Sequence, residues 1–163
     1  MYCNFSAPVI TAEKTDSVLD VLTKMQTEFV RHVVIVKDND HPIGIITQKD
    51  VLKLIQDDPT KRTLDLIKAG EIMKKDLFTV RYNDQYFLEV CADMMDNFGV
   101  GSVVVINDKK RLSGITTRTE LINAYSHLFK GKARICLYMK TKIITCRFND
   151  TLEFAFHIMQ QHH

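Results

Sequence analysis

A glycine, a threonine and an acid recur at a spacing of three residues in two places. They are Gly44, Thr47 and Asp50 in "PIGIITQKDVL", and Gly114, Thr117 and Glu120 in "LSGITTRTELI". A hydroxyl three residues before an acid has the form of a helix capping box. One interpretation is therefore structural: the threonine and the acid begin a helix, and the glycine permits close packing of the strand before it.

The same residue types also suit ligand binding. A strand that runs into a helix places free backbone N–H groups and the positive end of the helix dipole at the strand's carboxyl edge, where ligands bind in α/β sheets. A threonine hydroxyl there can donate to a phosphate, and a carboxylate can accept both hydroxyls of a ribose. The elements around the motif must distinguish the two interpretations.

The first copy of the motif lies in a predicted β-α-β-β-α unit. Its elements are a strand at 9–11, a helix at 16–29, strands at 32–37 and 43–47, and a helix at 48–55. Asp16 is the predicted N-cap of the first helix. Helical spacing predicts that one apolar face carries Val18, Leu22, Met25 and Phe29. The continuous apolar run "VVIV" is typical of a strand that is buried on both faces.

The second copy repeats this order about 70 residues later. Its predicted elements are a strand at 77–80, a helix that starts at Asp84 and carries Phe87, Val90 or Cys91, and Met94, strands at 102–106 and 113–117, and a helix at 118–129. The polar connector at 57–72 is predicted to be partly helical. Two successive β-α-β-β-α units with the same order of elements indicate a tandem repeat. The fold class is α/β or α+β, with small sheets flanked by helices.

A third copy begins near the end of the chain. "YMKTKIITCRFND" at 138–150 resembles "IMKKDLFTVRYND" at 72–84, and "TLEFAFHIMQQHH" starts the helix that should follow. We therefore expect a first repeat at 1–68, a second at 69–131, and a partial third repeat, strand and helix only, at 132–163. The pattern indicates a parent protein of four repeats.

Composition excludes several classes of function. The net charge of +2 is spread along the chain without a basic stripe, which argues against a nucleic-acid partner. No apolar run approaches the roughly 20 residues of a membrane helix, and no signal peptide is visible. Four scattered cysteines favour a reducing cytoplasm. We find no nucleophile–base or metal-ligand pattern, so we expect no catalytic site, no metal site and no enzyme.

The two repeats resemble a pair of cystathionine-β-synthase-type (CBS) domains, also called a Bateman module, of the archaeal or bacterial stand-alone type. The resemblance covers roughly 8–128 as two repeats and 135–163 as a partial third. It rests on "VIT…D…LDVLTKM…VRHVVIV…GIITQKDVL" and on "FTV…D…EVCADMM…VGSVVVI…GITTRTEL". Such pairs pack around a pseudo-two-fold axis and bind adenosine derivatives in two interdomain clefts. The resemblance therefore implies a regulatory nucleotide-sensing module, with a purely structural dimerisation module as the alternative.

The family motif, carried over residue by residue, assigns the first cleft. It makes Asp50 the ribose ligand and Thr47 a phosphate contact, while Arg31 faces the phosphate with His32 beside it. The adenine would lie against Ile45 and against the leading strand of the other repeat, at Leu77, Phe78 and Thr79.

The second cleft departs from the family pattern. Glu120 replaces the usual Asp or Asn, and Gly101-Ser102 stands where the first copy has Arg31-His32. The resemblance implies that this cleft uses Thr117, Glu120 and Arg118 together with Val9 and Ile10, and that it is empty or takes a less charged ligand. The expected regulatory ligands are AMP, ADP or ATP, or S-adenosylmethionine or methylthioadenosine. No cofactor is required, and the expected partners are a second copy of the chain in a homodimer and a regulated protein.

Overall fold

The computed structural model describes residues 5–38, 40–58, 62–83, 86–128, 131 and 134–162. The chain divides into two compact units, Met1–Phe129 and Lys130–His163. The first unit contains both complete copies of the repeat. The predicted Asp84 helix start lies outside the described residues.

The first copy forms a three-stranded sheet with two helices. Strand β1 pairs parallel with β2, and β2 pairs antiparallel with β3. The first helix lies between β1 and β2, the crossover that parallel strands require. The elements are β1 (Thr11–Glu13), α1 (Val18–Thr27), β2 (His32–Lys37), β3 (His41–Thr47) and α2 (Gln48–Asp57).

The second copy has the same topology in a separate sheet. Its strands also pair in the order of the chain, parallel and then antiparallel. The predicted fold class, tandem β-α-β-β-α repeats with two small sheets, is confirmed. The elements are α3 (Ala69–Ile72) in the connector, then β4 (Thr79–Arg81), α4 (Phe87–Asn97), β5 (Ser102–Ile106), β6 (Leu112–Thr117) and α5 (Arg118–Leu128).

Local details of the first helix differ from the prediction. The N-cap is Ser17, whose hydroxyl accepts a hydrogen bond from the Asp20 N–H, so Asp16 was the wrong N-cap. Asp16 instead closes the preceding turn by accepting from the Glu13 N–H. The predicted apolar face was wrong at Phe29, which lies beyond the end of the helix and is 94% exposed.

In α1 and α4, the first helix of each repeat, some of the buried residues differ from the predicted ones. Val21 is buried in α1 together with the predicted Val18 and Met25. In α4 the buried residues are Phe87, Cys91 and Met95, whereas Met94 is only partly buried.

The two sheets pack against each other through a shared apolar layer. Alternate residues of β2 divide between two environments: Val33 and Ile35 face the core of their own repeat, whereas Val34 faces the other repeat. The second repeat contributes to the same layer through β5 and β6. The buried residues of this layer are Val34, Ile45, Val104 and Ile115.

The segments that precede β1 and β4 are exchanged between the repeats. Ser6, ahead of β1, exchanges two backbone hydrogen bonds with Ile115 of the second repeat, and Lys74, ahead of β4, does the same with Ile45 of the first. Each leading segment thus extends the sheet of the other repeat. This reciprocity gives the pair its pseudo-two-fold character.

The second unit contains a 3-10 turn at Ile135–Leu137 and the helix α6 (Leu152–Gln161). The helix predicted here is present, with Thr151 as its N-cap. Among the described residues of 134–162 no strand is formed, although one was predicted from the resemblance of 138–150 to 72–84. A strand needs a neighbour for its ladder, and the described residues of this unit supply none.

Candidate functional site

The motif threonine and acid of the first copy lie at the junction of β3 and α2. We call the group formed by Arg31, His32, Thr47, Asp50 and Lys74 the first site. His32 begins β2 and lies opposite Thr47 in the antiparallel register. The backbone of Arg31 adjoins the start of α2, because its carbonyl accepts a hydrogen bond from the Gln48 N–H. Strand pairing therefore brings the predicted polar residues to one edge.

The capping interpretation of the motif is confirmed at this junction. One carboxylate oxygen of Asp50, Oδ2, accepts from the Thr47 backbone N–H at 2.9 Å and from the Thr47 hydroxyl at 2.6 Å. The Thr47 hydroxyl in turn accepts from the Asp50 N–H. A cap does not exclude a ligand, since the second oxygen, Oδ1, takes no part in it.

The ammonium of Lys74 forms an ion pair with that second oxygen. Its Nζ lies 2.7 Å from Asp50 Oδ1, in an ion pair between the second repeat and the first. The Asp50 side chain is only 11% exposed, whereas the Lys74 side chain is 59% exposed. Sequence reasoning missed Lys74 because it began the leading strand at Leu77. The match of 72–84 to 138–150 contained one signal that could have found it, since position 140 is also lysine.

His32 lies within reach of the charges of both motifs. Burial lowers the pKa of His32 below its ordinary value, and the positive charge of Arg31 lowers it further, while Glu120 and Asp50 act in the opposite direction. Its Nε2 also approaches Gly101, the residue that corresponds to Arg31 in the second repeat. Burial and the charge of Arg31 therefore favour the neutral imidazole against the opposing effect of the two carboxylates.

The equivalent group of the second repeat, which we call the second site, has the same geometry with different chemistry. Its residues are Ser6, Gly101, Ser102, Thr117 and Glu120. Glu120 Oε2 accepts from the Thr117 backbone N–H at 2.8 Å and from the Thr117 hydroxyl. Glu120 Oε1 accepts from the Ser6 hydroxyl at 2.8 Å. Burial opposes the charge of Glu120, but the hydrogen bonds from Thr117 and Ser6 outweigh it and lower its pKa.

The apolar residues predicted to contact an adenine fall into two groups. Val9, Ile45 and Leu77 belong to the shared layer between the sheets. Ile10 packs into the first core, and Phe78 packs into the second, with its ring 4.6 Å from that of Phe98.

The two remaining predicted residues, Thr79 and Arg118, are the first residues of β4 and α5. Thr79 pairs with Val104 in the parallel ladder of the second sheet. Arg118 is exposed at the start of α5, where the first repeat has Gln48 at the start of α2.

A family model for the CBS domain matches residues 5–57 and 69–127. The chain therefore belongs to the CBS-domain family, and it contains a CBS pair. Both sites lie at the strand–helix junctions of the matched segments.

Three individual proteins are also similar to the chain. Protein MK0525 of Methanopyrus kandleri is 31% identical over 121 residues, which are 74% of this chain and 59% of that protein. Protein MJ1225 of Methanocaldococcus jannaschii has a similar fold, with a TM-score of 0.82 and 19% identity over 97% of this chain and 61% of that one. The chain thus spans about three fifths of each.

The third is the CBS domain pair of protein MJ0100, solved in complex with 5′-methylthioadenosine and S-adenosyl-L-methionine. It has a TM-score of 0.66 and 24% identity, and the match covers 77% of this chain and 94% of that one. At this identity the likeness shows the fold.

Two features are absent from the residues that the structure describes, a membrane-spanning helix and a metal-binding cluster. No helix there is long and apolar enough to cross a membrane. No group of three or more His, Cys, Asp or Glu side chains among them is placed to hold a metal ion.

Proposed function

We propose that the chain is a non-catalytic regulatory module that binds an adenine nucleotide at the first site and passes its occupancy to a partner protein. The observation that carries this proposal is the junction of β3 and α2, where an acid and a threonine lie beside the ammonium of Lys74, and where the backbone of Arg31 adjoins the start of the helix. The CBS pair of MJ0100, solved with two adenosine derivatives, supports the choice of ligand class.

Each part of a nucleotide has a candidate partner at this site. Asp50 would accept from the ribose hydroxyls, and Arg31 would pair with the phosphate, because a guanidinium binds phosphate with two parallel hydrogen bonds. The adenine would lie in the shared apolar layer against Ile45 and Leu77, which are packed together. Phe78 and Thr79 would then support Leu77 from the adjoining strand.

We further propose that the second site prefers a less charged adenosine derivative or stays empty. Arg118 is its one predicted cation, and Ser6 stands where the first site has Lys74. Thr117, Glu120 and Val9 would contact such a ligand, with Ile10 behind them in the first core. S-Adenosylmethionine and methylthioadenosine carry no phosphate and fit this chemistry.

The test is a calorimetric titration of AMP into three proteins: the wild type, Asp50→Ala and Glu120→Ala. If Asp50 holds the ribose, its removal costs charge-assisted hydrogen bonds worth about 1.5–3 kcal/mol, and AMP binding weakens about tenfold to a hundredfold. Glu120→Ala removes the equivalent acid of the other site and is the matched control. It should change AMP affinity much less.

Two other results would contradict the assignment. Equal affinity in the wild type and Asp50→Ala would leave the motif as a helix cap alone. A greater loss in Glu120→Ala would move the nucleotide to the second site. A thermal-shift comparison of AMP, ATP, S-adenosylmethionine and NAD identifies the ligand, since saturation at a hundred times Kd stabilises the fold by about 2.7 kcal/mol.

A structural dimerisation module is the second candidate. The second helices of the two repeats expose large apolar side chains at equivalent positions, Leu52 at 41% and Ile122 at 67%, and Ile55 of α2 is 58% exposed. A symmetric homodimer would cover them. Light scattering should give twice the mass of the chain, and replacing Ile122 with Glu should return the monomer.

We also propose that residues 132–163 begin a third repeat after repeats at 1–68 and 69–131. The turn before α6 repeats the turn before α1: the Arg147 N–H donates to Asp150 at 2.6 Å, as the Glu13 N–H does to Asp16 at 3.2 Å. Removing 132–163 should leave AMP affinity unchanged, because both sites lie within the first two repeats. A loss of binding would contradict these boundaries.

A further inference from the structure

Each motif acid is held from two sides. One oxygen is bonded by the threonine of its own repeat, and the other by the leading segment of the opposite repeat. In the first site that second partner is the ammonium of Lys74, and in the second site it is the hydroxyl of Ser6. The two partners occupy the same place in the exchanged segments, so the sites differ there by one positive charge.

A ribose that binds Asp50 must take over an oxygen that is already engaged. Oδ2 belongs to the helix cap, so Oδ1 is the oxygen available for exchange, and Lys74 must leave it. The Asp50 carboxylate is largely shielded from water, which makes its ion pair costly to break without compensation. Lys74 is mostly exposed and has a flexible four-carbon stem, so its ammonium can move to another anion.

We propose that Lys74 is a specificity-determining residue of the first site, and that it admits ligands carrying an anionic phosphate and disfavours neutral nucleosides. This inference rests on the proposed function. A neutral nucleoside breaks the Lys74–Asp50 ion pair and supplies no anion to pair with the ammonium in place of Asp50. A phosphorylated ligand supplies a new anionic partner while its ribose takes Asp50.

The second site lacks this selection. The Ser6 hydroxyl is neutral, and it can turn to accept a hydrogen bond as readily as it donates one. A ribose hydroxyl can therefore replace it at Glu120 without leaving an unpaired charge. The difference between Lys74 and Ser6 thus acts together with that between Arg31 and Gly101, so that the first site favours phosphorylated ligands and the second favours less charged ones.

The experiment measures the Kd of AMP and of adenosine by calorimetry, at one ionic strength, for the wild type, Lys74→Ser and Lys75→Ser. Lys74→Ser gives the first site the residue of the second. Lys75→Ser removes the same charge from the adjacent, exposed position and is the matched control. We expect the wild type to prefer AMP, and Lys74→Ser to reduce that preference by about tenfold or more, by strengthening adenosine binding and weakening AMP binding.

A double variant tests how Lys74 acts. If it acts by engaging Asp50, Lys74→Ser should strengthen adenosine binding in the wild-type background and have no such effect in Asp50→Ala. An unchanged preference for AMP in Lys74→Ser, or an equal fall in Lys75→Ser, would overturn the inference while the proposed function stands. Absence of binding by both compounds to the wild type would overturn the proposed function and the inference with it.

Discussion

The first and second sites share a backbone and differ in chemistry. In both, a threonine caps a helix, an acid three residues later bonds back to it, and a segment from the other repeat reaches the free oxygen of that acid. The side chains at four equivalent positions differ. They are Arg31 and Gly101, His32 and Ser102, Asp50 and Glu120, and Lys74 and Ser6.

The comparison shows which positions the fold constrains. The shared apolar layer takes Ile45 from one repeat and Ile115 from the other, in the same place and with nearly equal exposure, 9% and 8%. The layer holds the two sheets together, so both halves must fill it equally. The polar edge carries no such requirement once the helix is capped, and there the two copies have different residues.

The largest effect should come from the symmetric layer. Ile45→Ala and Ile115→Ala each remove a buried side chain from between the sheets, and each should lower the free energy of unfolding by about 2–5 kcal/mol. Because the layer is pseudo-symmetric, the two losses should be similar. Urea unfolding followed by circular dichroism measures both, and a loss confined to one variant would show that the layer is not shared evenly.

A smaller effect should come from the glycines of the motif, where the repeats differ. A Cβ on Gly114 would overlap the ring of Phe5, whereas a Cβ on Gly44 would meet the Met73 sulfur at 2.6 Å. A rigid ring yields less easily than a flexible thioether. We expect Gly114→Ala to cost about 1–3 kcal/mol of stability, and Gly44→Ala less.

Thermal unfolding of the two glycine variants provides the comparison. The ring of Phe5 belongs to the leading segment that carries Ser6, so Gly114→Ala should also disturb the exchanged segment. Removing the ring with Phe5→Leu should lessen the cost of the alanine. A larger cost for Gly44→Ala would mean that Met73 is held more firmly than Phe5.

The smallest effect concerns pH, and it belongs to the first repeat because Ser102 replaces His32 in the second. Burial and the charge of Arg31 lower the pKa of His32 below 6.5, its ordinary value. The unfolded chain then binds the proton more readily than the folded one. The contribution of His32 is therefore complete above pH 6.5, and it is lost as the pH falls below that value.

The measurement is the free energy of unfolding between pH 5 and pH 7 for the wild type and His32→Gln. We expect stability to decrease toward pH 5 in the wild type and to decrease less in the variant. Glu120 does not interfere in this window, because its pKa lies below 4.5 and it stays ionised. Equal slopes in the two proteins would contradict the environment assigned to His32.

Much of this fold could be predicted from the sequence, because its strongest signals are local. The apolar runs "HVVIVK" and "SVVVI" form strands β2 and β5 with the predicted ends, since such runs are stable only when buried on both faces. The repeat itself predicted that the second half would copy the first. The capping box at Thr47 and the helix cap at Thr117 also follow from spacing alone, because a cap involves residues at most three positions apart.

The first helix shows where local reasoning fails. Asp16 and Ser17 are both good N-cap residues, and the choice between them depended on the packing of the turn before the helix. Phe29 fits the helical period, yet the helix ends before it and leaves its ring in solvent.

Only the tertiary structure decided the partners of the motif acids. Lys74 lies 24 residues after Asp50, and Ser6 lies 114 residues before Glu120. These contacts exist because each leading segment pairs with the sheet of the other repeat, and no pattern within either segment specifies that exchange. The sequence determined the two caps through short-range hydrogen bonds, whereas the packing of one sheet on the other determined which side chain each motif acid would meet, a charged ammonium or a neutral hydroxyl.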